Sequence, residues 1–285
     1  MIDETVAEIE EMRTHSSSTV AIKATRAFEE LLDREYTSVA AFERDLEQNA
    51  GVLRRANPSH ATLYNAIREV EDAVLGSGED LDVAKELLRE AIDRVIDDVE
   101  AGKREAAKNA AETFADGETI LTHDFSTTVL EAVEAAAASG RHLRAYVTEA
   151  RPRYLGRKTA RTLAGIDRVE PVLTVDSAMG HAIREADRVV LGMTCIAEDV
   201  YYNRVGTLPI ATTARELDVP VVVVGSGAKV VGEEFAFENE YRPGSEVMLE
   251  PLEGVTIENP TYDGTPLELV DRVITDAGAF DPADL

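Results

Sequence analysis

The sequence predicts an α/β chain: a helical domain over residues 1–115, then a parallel-sheet domain over residues 116–285. Three observations carry this. At roughly 150 residues per domain, 285 residues suggest about two domains. Before residue 115, apolar residues recur at three- and four-residue spacing. After Asp116-Gly117, short apolar runs alternate with helix-length segments, as in a parallel sheet with helices on both faces.

The helices follow in order. Val6, Ile9 and Met12 mark the first, and Val20, Ile22, Ala27 and Leu31 the second. Val39, Phe42, Leu46 and Val52 mark the third. Pro58-Ser59 breaks the pattern and begins a helix carrying Leu63, Ile67, Val70 and Val74. Gly76-Ser77-Gly78 is a turn. From Leu81 a long stripe runs through Val83, Leu87, Leu88, Ile92, Val95, Ile96 and Val99, and fades into an Ala-rich stretch before Phe114.

Thr119–Thr122 then reads as a strand, followed by a helix over Thr127–Ala138. His142–Thr148 is a strand followed by a helix over Lys158–Ala164. Val172–Val175 precedes a short helix over Met179–Arg184, and Arg188–Leu191 is the next strand. Ile210–Leu217 is helical, and Val219–Val224 is a buried strand rich in Val. Glu246–Pro260 is expected to add a strand or hairpin, and Leu267–Ala277 to close the chain as a helix.

Composition narrows the partners. With 29 Lys and Arg against 55 Asp and Glu, the net charge is −26. This argues against direct nucleic-acid binding, which needs clustered Lys and Arg, and against an anionic membrane surface. A hydrophobic content of 44% fits a folded chain. The positive charge comes mainly from Arg, and aromatic residues make up only 5%. Together these features read as adaptation to concentrated salt, where a Debye length of about 3 Å screens repulsion between carboxylates. The lone Cys195 excludes an intrachain disulfide. The start MIDETVAEIEEM has neither the basic nor the apolar region of a signal peptide, and no apolar run approaches membrane-spanning length. A cytoplasmic location is expected.

In an open parallel sheet, ligands bind beyond the carboxyl ends of the strands. That rule selects four loops. His123-Asp124-Phe125-Ser126-Thr127-Thr128 leads into a helix start, where free N–H groups favour phosphate; equally, Ser126 or Thr127 is a plain helix cap. Glu149 and Arg151 follow the second strand and suit a polyol and its phosphate, or form a surface ion pair. Gly192-Met193-Thr194-Cys195 leads on to Asn203-Arg204. Cys195 has no nearby His and reads as a small buried hydrophobe rather than a nucleophile. Gly225-Ser226-Gly227-Ala228-Lys229 sets a Lys at a strand end, to reach an anion or simply to face solvent. The histidines lack metal-ligand spacing, so no metal is assigned; His181 reads as structural, and His60 and His123 as better site candidates. No P-loop or dinucleotide fingerprint is present, and no cofactor is expected.

Taken in order, five stretches resemble a known family: ILTHDFSTTVL from Ile120, AYVTEARPRYLGRKTA from Ala145, EADRVVLG from Glu185, NRVGTLPIATTARELDVPVVVV from Asn203, and NPTYDGTP from Asn259. The family comprises the alpha, beta and delta subunits of translation initiation factor 2B, with the isomerases of ribose 1,5-bisphosphate and 5-methylthioribose 1-phosphate. The resemblance covers nearly the whole chain. It implies a helical N-terminal domain, a Rossmann-like C-terminal domain and a homodimer or higher homo-oligomer. Joined to the charge, it suggests a halophilic archaeal source.

The resemblance also sets out two branches. The isomerases carry a catalytic Cys where this chain has Asp124, and a catalytic Asp where it has Thr194 or its neighbour. Their N-terminal Arg-Gly-Ala loop reads Arg13-Thr14-His15 here, and their Arg before Pro-Thr-Ala-Val is Asn57. On these departures the expectation is a non-catalytic regulatory subunit of the initiation-factor type. Its pocket would bind a phosphorylated sugar or nucleotide, and translation initiation factor 2 would be a possible partner. The alternative is a divergent aldose–ketose isomerase of ribose 1,5-bisphosphate or a related phosphosugar, with Asp124 as its catalytic residue. In either case the pocket residues implied by the family are Arg13, Ser126, Thr127, Thr128, Glu149, Arg151, Asn203, Arg204 and Lys229.

Overall fold

The computed structural model describes residues 2–11, 17–232, 234–250 and 252–285. Two units are distinguished: residues 1–102 with 231–238, and residues 103–230 with 239–285. None of the described helices is long and apolar enough to cross a membrane.

The first unit contains α1 (Ile2–Glu11), α2 (Ser17–Ala27), α3 (Glu29–Leu32), α4 (Val39–Ala56), α5 (Ala61–Val74) and most of α6 (Leu81–Glu112). The apolar stripes meet in one core that includes Ile9, Val20, Phe28, Leu31, Phe42, Leu46, Leu63, Ile67 and Leu88. The stripe expected to form one helix over Val20–Leu31 is divided at Phe28, giving α2 and the single turn α3. Ser38 caps α4 by accepting from the Ala41 amide at 3.2 Å.

In the second unit, β1 (Glu118–Thr122), α7 (Thr127–Ala138), β2 (Leu143–Thr148), α8 (Leu155–Leu163), β3 (Val169–Thr174), α9 (Met179–Glu185) and β4 (Arg188–Gly192) follow in strict alternation. Then come β5 (Cys195–Ala197), β6 (Val200–Arg204), α10 (Thr207–Glu216), β7 (Val221–Val224), β8 (Val230–Val231, whose second residue is counted with the first unit), β9 (Tyr262–Pro266), β10 (Arg272–Thr275) and β11 (Gly278–Phe280). The main sheet has the order β11-β10-β7-β4-β1-β2-β3, parallel except for the β10–β11 hairpin. Its two faces are read from side-chain alternation. Ile120, Ala145, Val147, Val190, Val222 and Val224 pack with α7 and the end of α6. Leu121, Tyr146, Val189, Leu191, Val221 and Val223 pack with α9 and α10 on the other face.

Strand order reverses between β1 and β4, the place where open parallel sheets offer a crevice to ligands, and the loops beyond Thr122 and Gly192 meet there. Gly192 permits the approach of these loops: a Cβ at this position would lie 2.4 Å from Ser126 Oγ.

Two expected elements differ. Leu267–Ala277 is not a helix: after one 3-10 turn it becomes β10, inserted between β7 and β11. Leu267, Val270 and Ile274 share helical spacing, but the β-branched Val273, Ile274 and Thr275 are buried consecutively, which suits a central strand. Glu246–Pro260 forms no strand among its described residues; its Pro260 makes only an isolated bridge to Tyr241. A second sheet, ordered β8-β5-β6-β9, instead arises from Cys195–Ala197, Val200–Arg204 and Tyr262–Pro266.

Candidate functional site

The crevice is built from β1 outward. Past Thr122, His123 is buried and fixed at both ring nitrogens: Nδ1 lies 2.5 Å from Thr148 Oγ1, and Nε2 lies 2.9 Å from the Val205 carbonyl. These bonds tie the β1 loop to β2 and to the start of α10, which is a structural task. Asp124 follows with φ 61°, a left-handed conformation that a non-glycine residue adopts at some cost. Its carbonyl accepts from Thr159 Oγ1 at 2.5 Å. The half-buried Asp124 carboxylate faces Arg204, with Nε 3.4 Å from Oδ2.

Arg204 is delivered by the second sheet. It ends β6 opposite Tyr262 of β9, and its guanidinium lies 4.8 Å from the Tyr262 ring centre. Asp263, next on β9, accepts from the amides of Gly206 and Leu208 at 2.8 and 3.0 Å. That carboxylate satisfies the free N–H groups where α10 begins. Gly206 has φ 107°, and a Cβ there would lie 2.8 Å from His123 Nε2.

A small cavity of about 30 Å³ opens beside Asp124. Its polar lining includes Arg151, Arg153, Arg204, Arg242 and Glu246, with Asn259 and Thr261 alongside. Arg151 donates to Tyr154 Oη at 2.6 Å and to the Val247 carbonyl at 2.8 Å. Asp176 receives the backbone amides of Ala150 and Arg151 at 2.8 and 2.7 Å, which fixes this loop. Arg242 grips Glu246 through Nε and Nη2, at 2.8–3.0 Å, and Glu240 at 3.2 Å. The bonds from Arg242 hold the Glu246 carboxyl below its usual range.

The structure therefore brings Asp124, Arg151 and Arg204 together. The other expected pocket residues are engaged as follows. Ser126 caps α7 by accepting from the Val129 amide at 3.3 Å, and Thr127 and Thr128 form the first turn. Glu149 pairs with Arg157 at 2.6 Å. Asn203 is buried and donates to Thr207 at 3.2 Å. Lys229 Nζ donates to the Met193 carbonyl at 2.6 Å, at the end of β4, and burial pushes its pKa down to about 8. Arg13 lies outside the described residues. Cys195 is fully buried on β5, and burial pushes its thiol up to about 12.

Residue-type reasoning missed Arg153, Arg242 and Glu246. Arg153 carried a signal, as the second Arg of Arg-Pro-Arg beyond β2. Arg242 and Glu246 carried none, since the fold alone returns their loop to the β2 end.

A sequence model of the Initiation factor 2 subunit family matches residues 13–282. The chain belongs to that family. A relative from Haloferax volcanii named ribose 1,5-bisphosphate isomerase is 30% identical, covering 99% of this chain and 89% of its own. One of the same name from Haloterrigena turkmenica is 32% identical, covering 98% and 89%. A crystal structure described as the Pyrococcus horikoshii OT3 translation initiation factor eIF-2B superposes with a TM-score of 0.82 at 26% identity, covering 99% of this chain and 98% of that one. The expectation of a non-catalytic regulatory subunit is overturned by the first two, which match this family member almost end to end and are named as isomerases. That expectation counted two changed side chains as a lost acid–base pair. It gave too little weight to a carboxylate standing in the crevice at one of those positions.

Proposed function

We propose that the chain is an aldose–ketose isomerase of a phosphorylated ribose, with ribose 1,5-bisphosphate as the leading substrate. The observation that carries this is the Asp124 carboxylate at the strand-order reversal, 3.4 Å from Arg204 and beside a cavity rich in arginine. The names of the relatives support the same reading.

The reaction asks little of the protein beyond placed charges. A base removes the C2 proton while the C1–O4 ring bond breaks and O4 takes a proton from water, giving an enol. O2 then returns its proton to the resulting hydroxide as C1 is protonated, so the 2-ketose has the composition of the starting sugar. Asp124 is the carboxylate that carries the proton between C2 and C1. Arg204 orients it and stabilises negative charge developing on the sugar oxygens. The neighbouring guanidiniums hold phosphate.

The test is direct. Purified protein in molar KCl is given ribose 1,5-bisphosphate, and ribulose 1,5-bisphosphate is followed. Turnover is expected, with kcat lowered about 10²- to 10⁴-fold in Asp124→Asn. Absence of turnover, or an unchanged rate in the variant, refutes the assignment. We also propose that the chain self-associates, supported by exposed Tyr241, Met248, Leu249, Leu252 and Val255. A mass of 31.0 kDa by light scattering would refute that.

A further inference from the structure

We propose that Arg153 is the principal ligand of a substrate phosphate, in a cradle completed by Arg151, Arg204 and Arg242. The inference rests on the isomerase reading for the identity of the sugar, and on geometry alone for the anion.

The four arginines differ in what they hold. Arg151 is bonded to Tyr154 and Val247, Arg204 faces Asp124, and Arg242 is clamped by Glu246 and Glu240. Arg153 is half-buried, lines the same cavity, and has no hydrogen-bonded or ion-paired partner among the described residues. Burying a guanidinium without a partner is costly. The environment adds to that cost: burial, then repulsion from Arg242 and Arg204, pulls its pKa below the ordinary arginine value. Glu246 and Asp124 offset this only in part.

The lining thus sets four guanidiniums against two carboxylates, in a chain with a net charge of −26. Glu240, bonded to Arg242, adds a third carboxylate, and the positive charge that remains favours a phosphate anion. Planar donor forks suit its oxygens better than a point charge would. The three bound arginines have fixed positions, so Arg153 is the group left to close on the ligand. It determines specificity for a phosphorylated sugar, while Asp124 carries the chemistry.

Titration calorimetry with inorganic phosphate, in molar KCl, tests the anion site without requiring turnover. Wild-type protein is expected to bind, with affinity falling ten- to a hundred-fold in Arg153→Gln and partly restored in Arg153→Lys. Circular dichroism of both variants establishes that they fold. With ribose 1,5-bisphosphate, Arg153→Gln is expected to raise KM by a similar factor and to leave kcat within a few-fold. Wild-type protein that takes up no phosphate at about 10 mM, above a millimolar Kd, overturns the site. So does equal binding by wild type and Arg153→Gln. Phosphate binding through Arg153 without sugar conversion leaves the site standing and removes the isomerase reading. Conversion with an unaltered KM in Arg153→Gln does the reverse.

Discussion

Lys229 allows a quantitative check on the packing beneath the site. The residue is half-buried, but its ammonium lies inside the protein, with the Met193 carbonyl as its bonded partner at 2.6 Å. Burial lowers its pKa from 10.5 to about 8. A gap of that size corresponds to about 3 kcal/mol of disfavoured charge. The sign follows from proton counting. Between pH 8 and 10.5 the unfolded chain holds the Lys229 proton and the folded chain does not, so stability rises with pH. Between pH 7 and 9.5 the gain is about 2 kcal/mol. Lys229→Met removes the titrating group and with it this gain. Equilibrium denaturation of both proteins at pH 7, 8, 9 and 9.5 in fixed salt is the assay, because the difference cancels other groups. The wild type should gain on the variant by about 2 kcal/mol across that range. A difference that stays flat, or that moves against the wild type, refutes the burial of a charged ammonium at β4.

Three further outcomes are expected. Gly206→Ala combines a φ of 107° with a Cβ 2.8 Å from His123 Nε2, and should cost about 1–3 kcal/mol by denaturant titration; a cost near zero would mean that this loop is not held as described. Cys195 is fully buried with its thiol pushed up to about 12, so alkylation at neutral pH should proceed only as the protein opens; rapid stoichiometric labelling of native protein would contradict this. With a net charge of −26, the thermal midpoint should rise as KCl increases from about 0.1 M to molar; equal stability at both salts would leave the charge as composition without salt adaptation.

Local pattern showed the layered α/β order because burial on two sheet faces leaves short continuous apolar runs such as those in Arg188–Leu191 and Val221–Val224. It failed where two patterns overlap. Leu267, Val270 and Ile274 fit a helix by spacing, and only their place between β7 and β11 makes them part of a sheet. The second sheet was hidden for another reason. Cys195–Ala197 is three residues long, and β9 contains Gly264 and Pro266, both poor strand formers. At the site, Asp124, Arg151 and Arg204 were recognisable because they follow strand ends. Asn203 and Lys229 have the chemistry of ligands, yet the fold engages them with Thr207 and the Met193 carbonyl. Arg242 reaches the cavity from a segment nearly 90 residues beyond Arg153, a proximity that no spacing rule contains.

The cationic lining of the cavity also bears on the speed of capture. An incoming dianion meets the whole chain's −26 at long range and the local excess of positive charge only near contact. At about 10 mM salt the repulsion extends some 30 Å and slows encounter; at about 1 M both fields shrink to roughly 3 Å. Association should therefore accelerate as salt is added and then level off, opposite to the usual electrostatically steered pair, whose encounters slow with salt.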